Sequence, residues 1–252
     1  LLLWGYNNSL AVAPFQALKV VDYGDVDVIP VDIEDTYASV EREVGAILAE
    51  GVTVVTLGGD HSIALPLLRA HARKHGPLAV VHFDSHPDTW HSEFGNRPYS
   101  HGTPFRRAIE ENLIDTGAYI QVGIRGPTSA ANDLQDARDL GARVITIDEA
   151  MSIGIPAILD EVQARAAGKK VYVSFDIDAV DPAFAPGTGT PEVGGFTSYQ
   201  ALQLLRGLKG LDLVGFDLVE VSPPYDHGDI TAILASNLVF EFLSLIALKK
   251  QK

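Results

Sequence analysis

The side chains with the most chemistry in this chain lie in the run His82-Phe83-Asp84-Ser85-His86-Pro87-Asp88, directly after the apolar stretch Leu78-Ala79-Val80-Val81. A strand sends alternate side chains to opposite faces, so Asp84, His86 and Asp88 can project together from the end of a strand that starts in the core. A second run, Ser174-Phe175-Asp176-Ile177-Asp178, repeats that spacing, with Asp181-Pro182 turning the chain beyond it. Two more apolar stretches end in the same manner, in Gly58-Gly59-Asp60-His61 and in Asp217-Leu218-Val219-Glu220. Carboxylates crowded into one space repel each other or shift their pKa values, and bound cations relieve the repulsion. A lone Asp at a strand end is ordinarily a helix N-cap. Several ligand-type side chains on buried strand ends demand partners, because charged groups are seldom buried unpaired.

Charge balance narrows the chemistry. Asp84, Asp88, Asp176 and Asp178 carry four negative charges, which two divalent cations would balance, while His61 and His86 would add neutral nitrogen ligands. Shared carboxylates suit a binuclear centre with ions ~3.5–4 Å apart that acidifies a water between them. The chain has no cysteine, so thiolate sites and disulfides are excluded. Oxygen-rich ligation with two imidazoles suits Mn²⁺, with other first-row ions as competitors for the same ligands.

The elements that must position these residues alternate along the chain. Short, β-branched, unalternated runs predict strands near 53–57, 78–81, 118–122, 143–147, 170–175 and 213–218, and an acidic strand-like piece near 20–27. Helical spacing predicts helices from Asp35 as N-cap to Gly51, and near 62–75, 105–112, 130–140, 156–167, 198–207 and 230–248. This alternation predicts a three-layer α/β/α fold with a mostly parallel sheet, in one domain spanning 1–252. Ligands in such sheets gather at the carboxyl ends of strands, where all four polar clusters fall.

Composition excludes other classes. The chain has 252 residues, 46% hydrophobic and 21% charged, with a formal net charge of −14. The negative charge argues against nucleic-acid and anionic-membrane binding and mildly favours a small cationic partner. The opening Leu1-Leu2-Leu3-Trp4 reads as neither a signal peptide nor a span, and no apolar run is expected to approach the ~20 residues of a membrane span. A cytoplasmic location is the expectation. The final helix, apolar nearly all round, is expected to be buried in the domain core or at a subunit contact.

Taken together, Gly58-Gly59-Asp60-His61, Asp84-Ser85-His86-Pro87-Asp88 and Ser174-Phe175-Asp176-Ile177-Asp178-Ala179-Val180-Asp181-Pro182, running on into Pro186-Gly187-Thr188-Gly189-Thr190-Pro191, resemble the ureohydrolase family of arginases, agmatinases and guanidino-acid hydrolases. The resemblance covers approximately residues 50–245. It implies an arginase-like fold and hydrolysis of a guanidinium to urea and an amine with two Mn²⁺ per subunit. It further implies that His61, Asp84, Asp88 and Asp176 hold one ion and Asp84, His86, Asp176 and Asp178 the other, with Asp84 and Asp176 bridging. Asp88 would also orient the nucleophile, Glu220 would bind the substrate guanidinium, and His101 would be the proton shuttle. Read without the family, His101 is equally a loop histidine bonded to backbone and Glu220 equally a buried salt-bridge partner. Relatives form trimers or hexamers, so a homo-oligomer is expected. The strand and Gly/Pro-rich, Arg-bearing segment that usually opens family members has no counterpart here, so the N-terminal segment is expected to be incomplete.

The substrate is less determined. Ile124-Arg125-Gly126-Pro127-Thr128-Ser129 lacks the acidic residues that arginases carry at this place, which argues against arginine. The loop from His91 to Tyr99 resembles agmatinases and guanidinobutyrases, and within it Glu93 would suit agmatine's ammonium and Arg97 a guanidino acid's carboxylate. The acidic balance tips the expectation to agmatine, giving urea and putrescine in polyamine biosynthesis, with 4-guanidinobutyrate or a similar guanidino acid as the alternative. Pro186 to Pro191 is expected to be rigid turn structure shaping the site wall. His71, His75, His82 and His227 are expected at the surface or in packing, and His91 is open. A binuclear phosphatase would show Lys or Arg near the metals, and a non-catalytic relative would lack a ligand or the shuttle.

Overall fold

The computed structural model describes residues 5–250, so the opening residues 1–4 lie outside the described residues. Its sheet has six strands: β1 (Val54–Leu57), β2 (Leu78–Phe83), β3 (Ile114–Ile124), β4 (Arg143–Thr146), β5 (Lys170–Asp176) and β6 (Asp212–Val219), in the order β1-β6-β5-β2-β3-β4. Every pairing is parallel. The helices are α1 (Pro14–Ala17), α2 (Ile33–Ala49), α3 (Ala64–His75), α4 (Pro104–Glu110), α5 (Asp133–Asp139), α6 (Ile147–Ala166), α7 (Ser198–Arg206) and α8 (Ile230–Lys250).

The period-two alternation of the strands divides the core between the two faces of the sheet. Ala79, Val81 and Phe83 of β2 and Val171, Val173 and Phe175 of β5 pack with Ile158 and Val162 of α6, Leu204 of α7 and Leu238 and Phe242 of α8. Leu78, Val80 and Tyr172 face the other way, onto Val40, Val44 and Leu48 of α2, Leu65 and Leu68 of α3 and Phe105 of α4. All of β2, and β5 beyond Lys170, is buried, which is why these strands read as unbroken apolar runs.

Several boundaries differ from expectation for local reasons. The N-cap of α2 is Asp32, whose carboxylate accepts from the backbone N–H groups of Glu34 and Asp35, both at 3.0 Å; Asp35 lies inside the first turn. The strand-like piece at 20–27 takes no regular secondary structure and joins no sheet. Helix α6 begins at Ile147, directly after β4, and is broken at Gly154, whose φ of 78° is left-handed.

Helix α8 corrects the expectation about apolar runs. By length and composition its 21 residues could cross a membrane, yet 61% of its most apolar stretch is buried within this fold. It also carries Glu241, buried among apolar neighbours, which accepts from Asn7 Nδ2 at 2.8 Å and from Arg206 at 2.5 Å. Those partners tie the N-terminal segment and α7 to α8 and keep the carboxylate from being an unpaired buried charge.

His71 of α3 is buried under β5 and β6, its ring edge-on to Tyr172, with Nδ1 bonded to the Leu67 carbonyl. Burial lowers its pKa from 6.5 to about 4. The folded state thus binds fewer protons here than the unfolded state, so this contribution is present above pH 6.5 and is lost as pH falls toward 4. It amounts to about 3 kcal/mol over that window. Denaturant unfolding from pH 7 to 4 should show a shallower acid-side decline in His71→Leu than in the wild type; equal slopes would show that His71 does not couple to acid unfolding.

Candidate metal centre

The carboxyl ends of four strands meet at one edge of the sheet. Phe83 of β2 pairs with Phe175 of β5, Asp176 with Val219 of β6, and Leu57 of β1 with Leu218. The residues leaving those strands therefore adjoin. His61 opens the short 3₁₀ turn His61–Ile63, capped by Asp60, whose carboxylate accepts from Ser62 N at 2.8 Å. Asp176 caps the turn Ile177–Ala179 by accepting from Asp178 N, also at 2.8 Å.

All six expected ligand residues converge. His61 Nδ1 lies 3.0 Å from Asp84 Oδ2, 2.9 Å from Asp88 Oδ2 and 3.3 Å from Asp176 Oδ2. His86 Nδ1 lies 3.0 Å from Asp178 Oδ2 and 3.6 Å from Asp84 Oδ1. Ligand-type atoms thus fall into two groups, His61, His82, Asp84 and Asp88 in one and Asp84, His86 and Asp178 in the other, and the two oxygens of the shared Asp84 face different groups. Asp176 turns only Oδ2 to the cluster, because Oδ1 is occupied by the Asp178 N–H.

Hydrogen-bond direction tests whether these residues fit cations. Tyr172 O–H and Ser174 O–H both donate to the buried carboxylate of Asp217, each at 2.7 Å. Ser174 Oγ, having spent its proton, can only accept from His61 Nε2 at 2.8 Å. Nε2 therefore carries a proton, and Nδ1 faces three carboxylate oxygens at 2.9–3.3 Å, a place that a proton fills in the metal-free protein and that a cation can take over. Four acceptors pointing at one spot is the donor set of a cation site. Removing the relay with Ser174→Ala should weaken Mn²⁺ binding roughly 10–100-fold in equilibrium dialysis of the metal-free protein. Unchanged affinity would show that Ser174 does not set the His61 tautomer.

The pKa shifts express the same demand for positive charge. Burial pulls His61 down, but the carboxylates of Asp176, Asp84 and Asp88 outweigh it and hold the imidazole well above its ordinary range. Against the same burial, Asp178 and Asp84 raise His86 to about 12. Burial and the charges of Asp178 and Asp84 push Asp176 well above the carboxylate range, and burial and Asp84 push Asp88 to about 7. Asp84 moves the other way, held low against burial by His82, His61 and His86. Protons satisfy part of a negative field that divalent cations would satisfy in full, so metal binding would release protons.

His82 was expected at the surface or in packing, and its role proves more specific. It is fully buried, and its Nε2 lies 2.7 Å from Asp84 Oδ2 while Nδ1 faces Tyr119 O–H at 3.2 Å. Burial lowers its pKa, so a neutral ring donates from Nε2 to the shared carboxylate. The signal in the sequence was its spacing of two from Asp84. Two site residues, Asp88 (φ 47°) and Glu220 (φ 63°), hold left-handed backbone that costs a non-glycine residue of order 1 kcal/mol.

Above the cluster opens a cleft of ≈ 290 Å³, with His86, Asp88, Asp176 and Glu220 at its floor. Trp90, Glu93, His101, Pro127, Thr190, Pro191 and Glu192 complete its lining. Glu220 Oε1 accepts from His61 N at 2.7 Å and lies 3.9 Å from His101 Nδ1. The segment after Pro186 forms wall as expected, with Thr188 bridged to Val221 just beyond β6. His75 is partly buried, whereas His91, His227 and Arg97 are exposed, and neither His91 nor Arg97 lines the cleft. Arg125, at the exit of β3, is occupied: its guanidinium donates to the carbonyls of Glu192 at 2.6 Å and Asp178 at 2.7 Å, and to those of Gly123, Ala179 and Val193.

A parallel sheet whose strand ends assemble two carboxylate-linked ligand groups beneath a cleft defines an arginase-fold amidinohydrolase. The sequence model of the Arginase family matches residues 3–244, and the chain belongs to that family. It is similar to guanidinopropionase of Pseudomonas aeruginosa, 49% identical over 94% of this chain and 74% of that one. It is also similar to the mitochondrial agmatinase of Gallus gallus, at 46% over 96% of this chain and 71% of that one. Among solved structures, proclavaminate amidino hydrolase from Streptomyces clavuligerus superposes with a TM-score of 0.92 at 43% identity, covering 98% of this chain and 82% of that one.

Proposed function

We propose that this enzyme hydrolyses the guanidinium of agmatine to urea and putrescine with two Mn²⁺ ions. His61, Asp84, Asp88 and Asp176 would hold one and Asp84, His86, Asp176 and Asp178 the other; the sharing of Asp84 between two ligand groups supports the two-ion reading, Asp176 Oδ2 beside His61 supports its place at the first ion, and its place at the second rests on the resemblance to the family. When bound, the ions would supply Lewis acidity and lower the pKa of water to near neutrality.

The remaining chemistry falls to the chain. A guanidinium is resonance-stabilised and a poor electrophile, so its plane must be fixed beside the nucleophile. Glu220 spends one oxygen on the His61 N–H, leaving the other to pair with the guanidinium. Asp88 orients the nucleophile from the cleft floor. Expelling the amine requires a proton, and His101 Nδ1, on the Glu220 side of the ring, is the atom placed to deliver it.

The observation that carries agmatine is the charge of the cleft. Beyond the ligand cluster and Glu220 it presents Glu93 and Glu192, and among the described residues no Lys or Arg lines it. Arg97 points to solvent and Arg125 is spent on carbonyls, so a substrate carboxylate finds no cation. The same lack disfavours a phosphatase. The 49% identity to guanidinopropionase favours a second reading, hydrolysis of a guanidino acid such as 3-guanidinopropionate or 4-guanidinobutyrate. A urea-release assay with Mn²⁺ across agmatine, those two acids and arginine separates them. Agmatine should show the highest kcat/KM, and a guanidino acid in first place would overturn the agmatine reading. We extend the proposal to a cytoplasmic homo-oligomer, a trimer or hexamer, on the resemblance to the family.

A further inference from the structure

We propose that Glu93 is a positioning residue for His101 and not the reader of the substrate's far end. The proposal rests on the urea-releasing function above. Glu93 Oε2 accepts from Ser100 Oγ at 2.6 Å and from Gly102 N at 3.0 Å, thereby gripping the chain on both sides of His101. The same oxygen lies 3.9 Å from His101 Nε2, and Glu220 Oε1 lies 3.9 Å from Nδ1, so the imidazole hangs between two carboxylates.

Two further features of the hairpin converge on His101. A Cβ at Gly102 would fall 2.6 Å from Glu93 Oε2 and 2.4 Å from Trp90 Cε3, so the carboxylate occupies space that only glycine leaves open. Glu93 and Arg97 pair their backbones in both directions, at 3.0 and 2.8 Å, and the residues between them, Phe94, Gly95 and Asn96, all have left-handed φ, at 45°, 78° and 69°. That conformation is strained for Phe94, whereas Asn96 belongs to the few non-glycine types that adopt it readily. The Phe94 ring contributes little to any core, being 69% exposed, but it stacks on His101 with centroids 5.7 Å apart and planes 12° from parallel. Carboxylate grip, glycine gap and ring stack thus all bear on one imidazole. A carboxylate already holding an O–H and an N–H is a poor partner for a mobile ammonium, which leaves Glu192 to face the tail.

The test compares wild-type, Glu93→Gln and Glu93→Ala holoenzymes on agmatine, 4-guanidinobutyrate and an alkylguanidine whose tail carries no charge. Displacing a proton-transfer group by a fraction of its contact distance costs up to about 100-fold in rate. We expect kcat to fall by one common factor, roughly 10–100-fold in Glu93→Ala and less in Glu93→Gln, with KM and metal content held. A rise in the KM of agmatine alone, with kcat intact, would make Glu93 the tail reader and overturn the proposal. Labelled-histidine NMR of the protein loaded with diamagnetic Zn²⁺ supplies a readout independent of turnover: the His101 ring signals should shift or broaden in Glu93→Ala while those of His86 hold. Unmoved His101 signals would also overturn it. If the wild type releases no urea from any compound, the functional reading fails and the NMR comparison still decides the positioning role.

Discussion

Asp84→Asn is expected to lower Mn²⁺-dependent urea release by roughly a thousandfold or more, equivalent to ~4 kcal/mol in the barrier. Asp84 Oδ2 lies 3.0 Å from His61 Nδ1 and accepts from His82 Nε2 at 2.7 Å, while Oδ1 accepts from His86 N at 2.6 Å. Both oxygens are approached by donors, so an amide in either orientation sets its NH₂ against an N–H. It also removes a charge that the two ligand groups share. Asp176→Asn should act alike by another route. Its Oδ1 keeps the Asp178 N–H, so the amide nitrogen takes the Oδ2 place, 3.3 Å from His61 Nδ1, and donates to the lone pair meant for a cation. Urea release, metal content and circular dichroism on both variants check this. Full activity in either would sink the two-ion arrangement.

His101→Asn should do the opposite to the metal and nearly as much to the rate. His101 stands outside both ligand groups, its side chain 35% exposed at the cleft wall. Metal content should stay at the wild-type level while kcat falls roughly 10²–10⁴-fold, the usual worth of a positioned acid or base. Loss of metal from this variant would instead make His101 a ligand.

The division between what was legible in the sequence and what was not follows chain locality. Asp84, His86 and Asp88 announce themselves because spacing by two at a strand exit is a local pattern, and Asp176 and Asp178 repeat it. The parallel sheet was legible for the same reason, from short apolar runs alternating with helical ones. The polar layer beneath the ligand cluster was not. Ser174 and Asp217 are single polar residues inside apolar strands, and only the lateral pairing of β5 with β6 shows that one relays to the other and on to His61. His82 stayed hidden among β2's apolar residues although its spacing pointed to it. Asp32 and Asp35 are both acceptable caps, so the choice between them waited on backbone geometry. Glu93 and Arg97 could not be ordered from charge alone, because a hairpin of left-handed residues decides which one faces the cleft.

The strand order bears on how the chain acquires its metals. β5 enters the sheet between β2 and β6, so the bond from Ser85 N to Asp178 Oδ1 joins residues 93 positions apart. Under the proposed assignment each ion takes ligands from both runs, and contacts of such separation are slow to close. An ion that needs both ligand runs finds its site only after the central strands have paired. On that assignment metal would enter the folding sequence late, as a latch on a finished sheet and not as a nucleus for it, and would draw the equilibrium toward the native state by mass action.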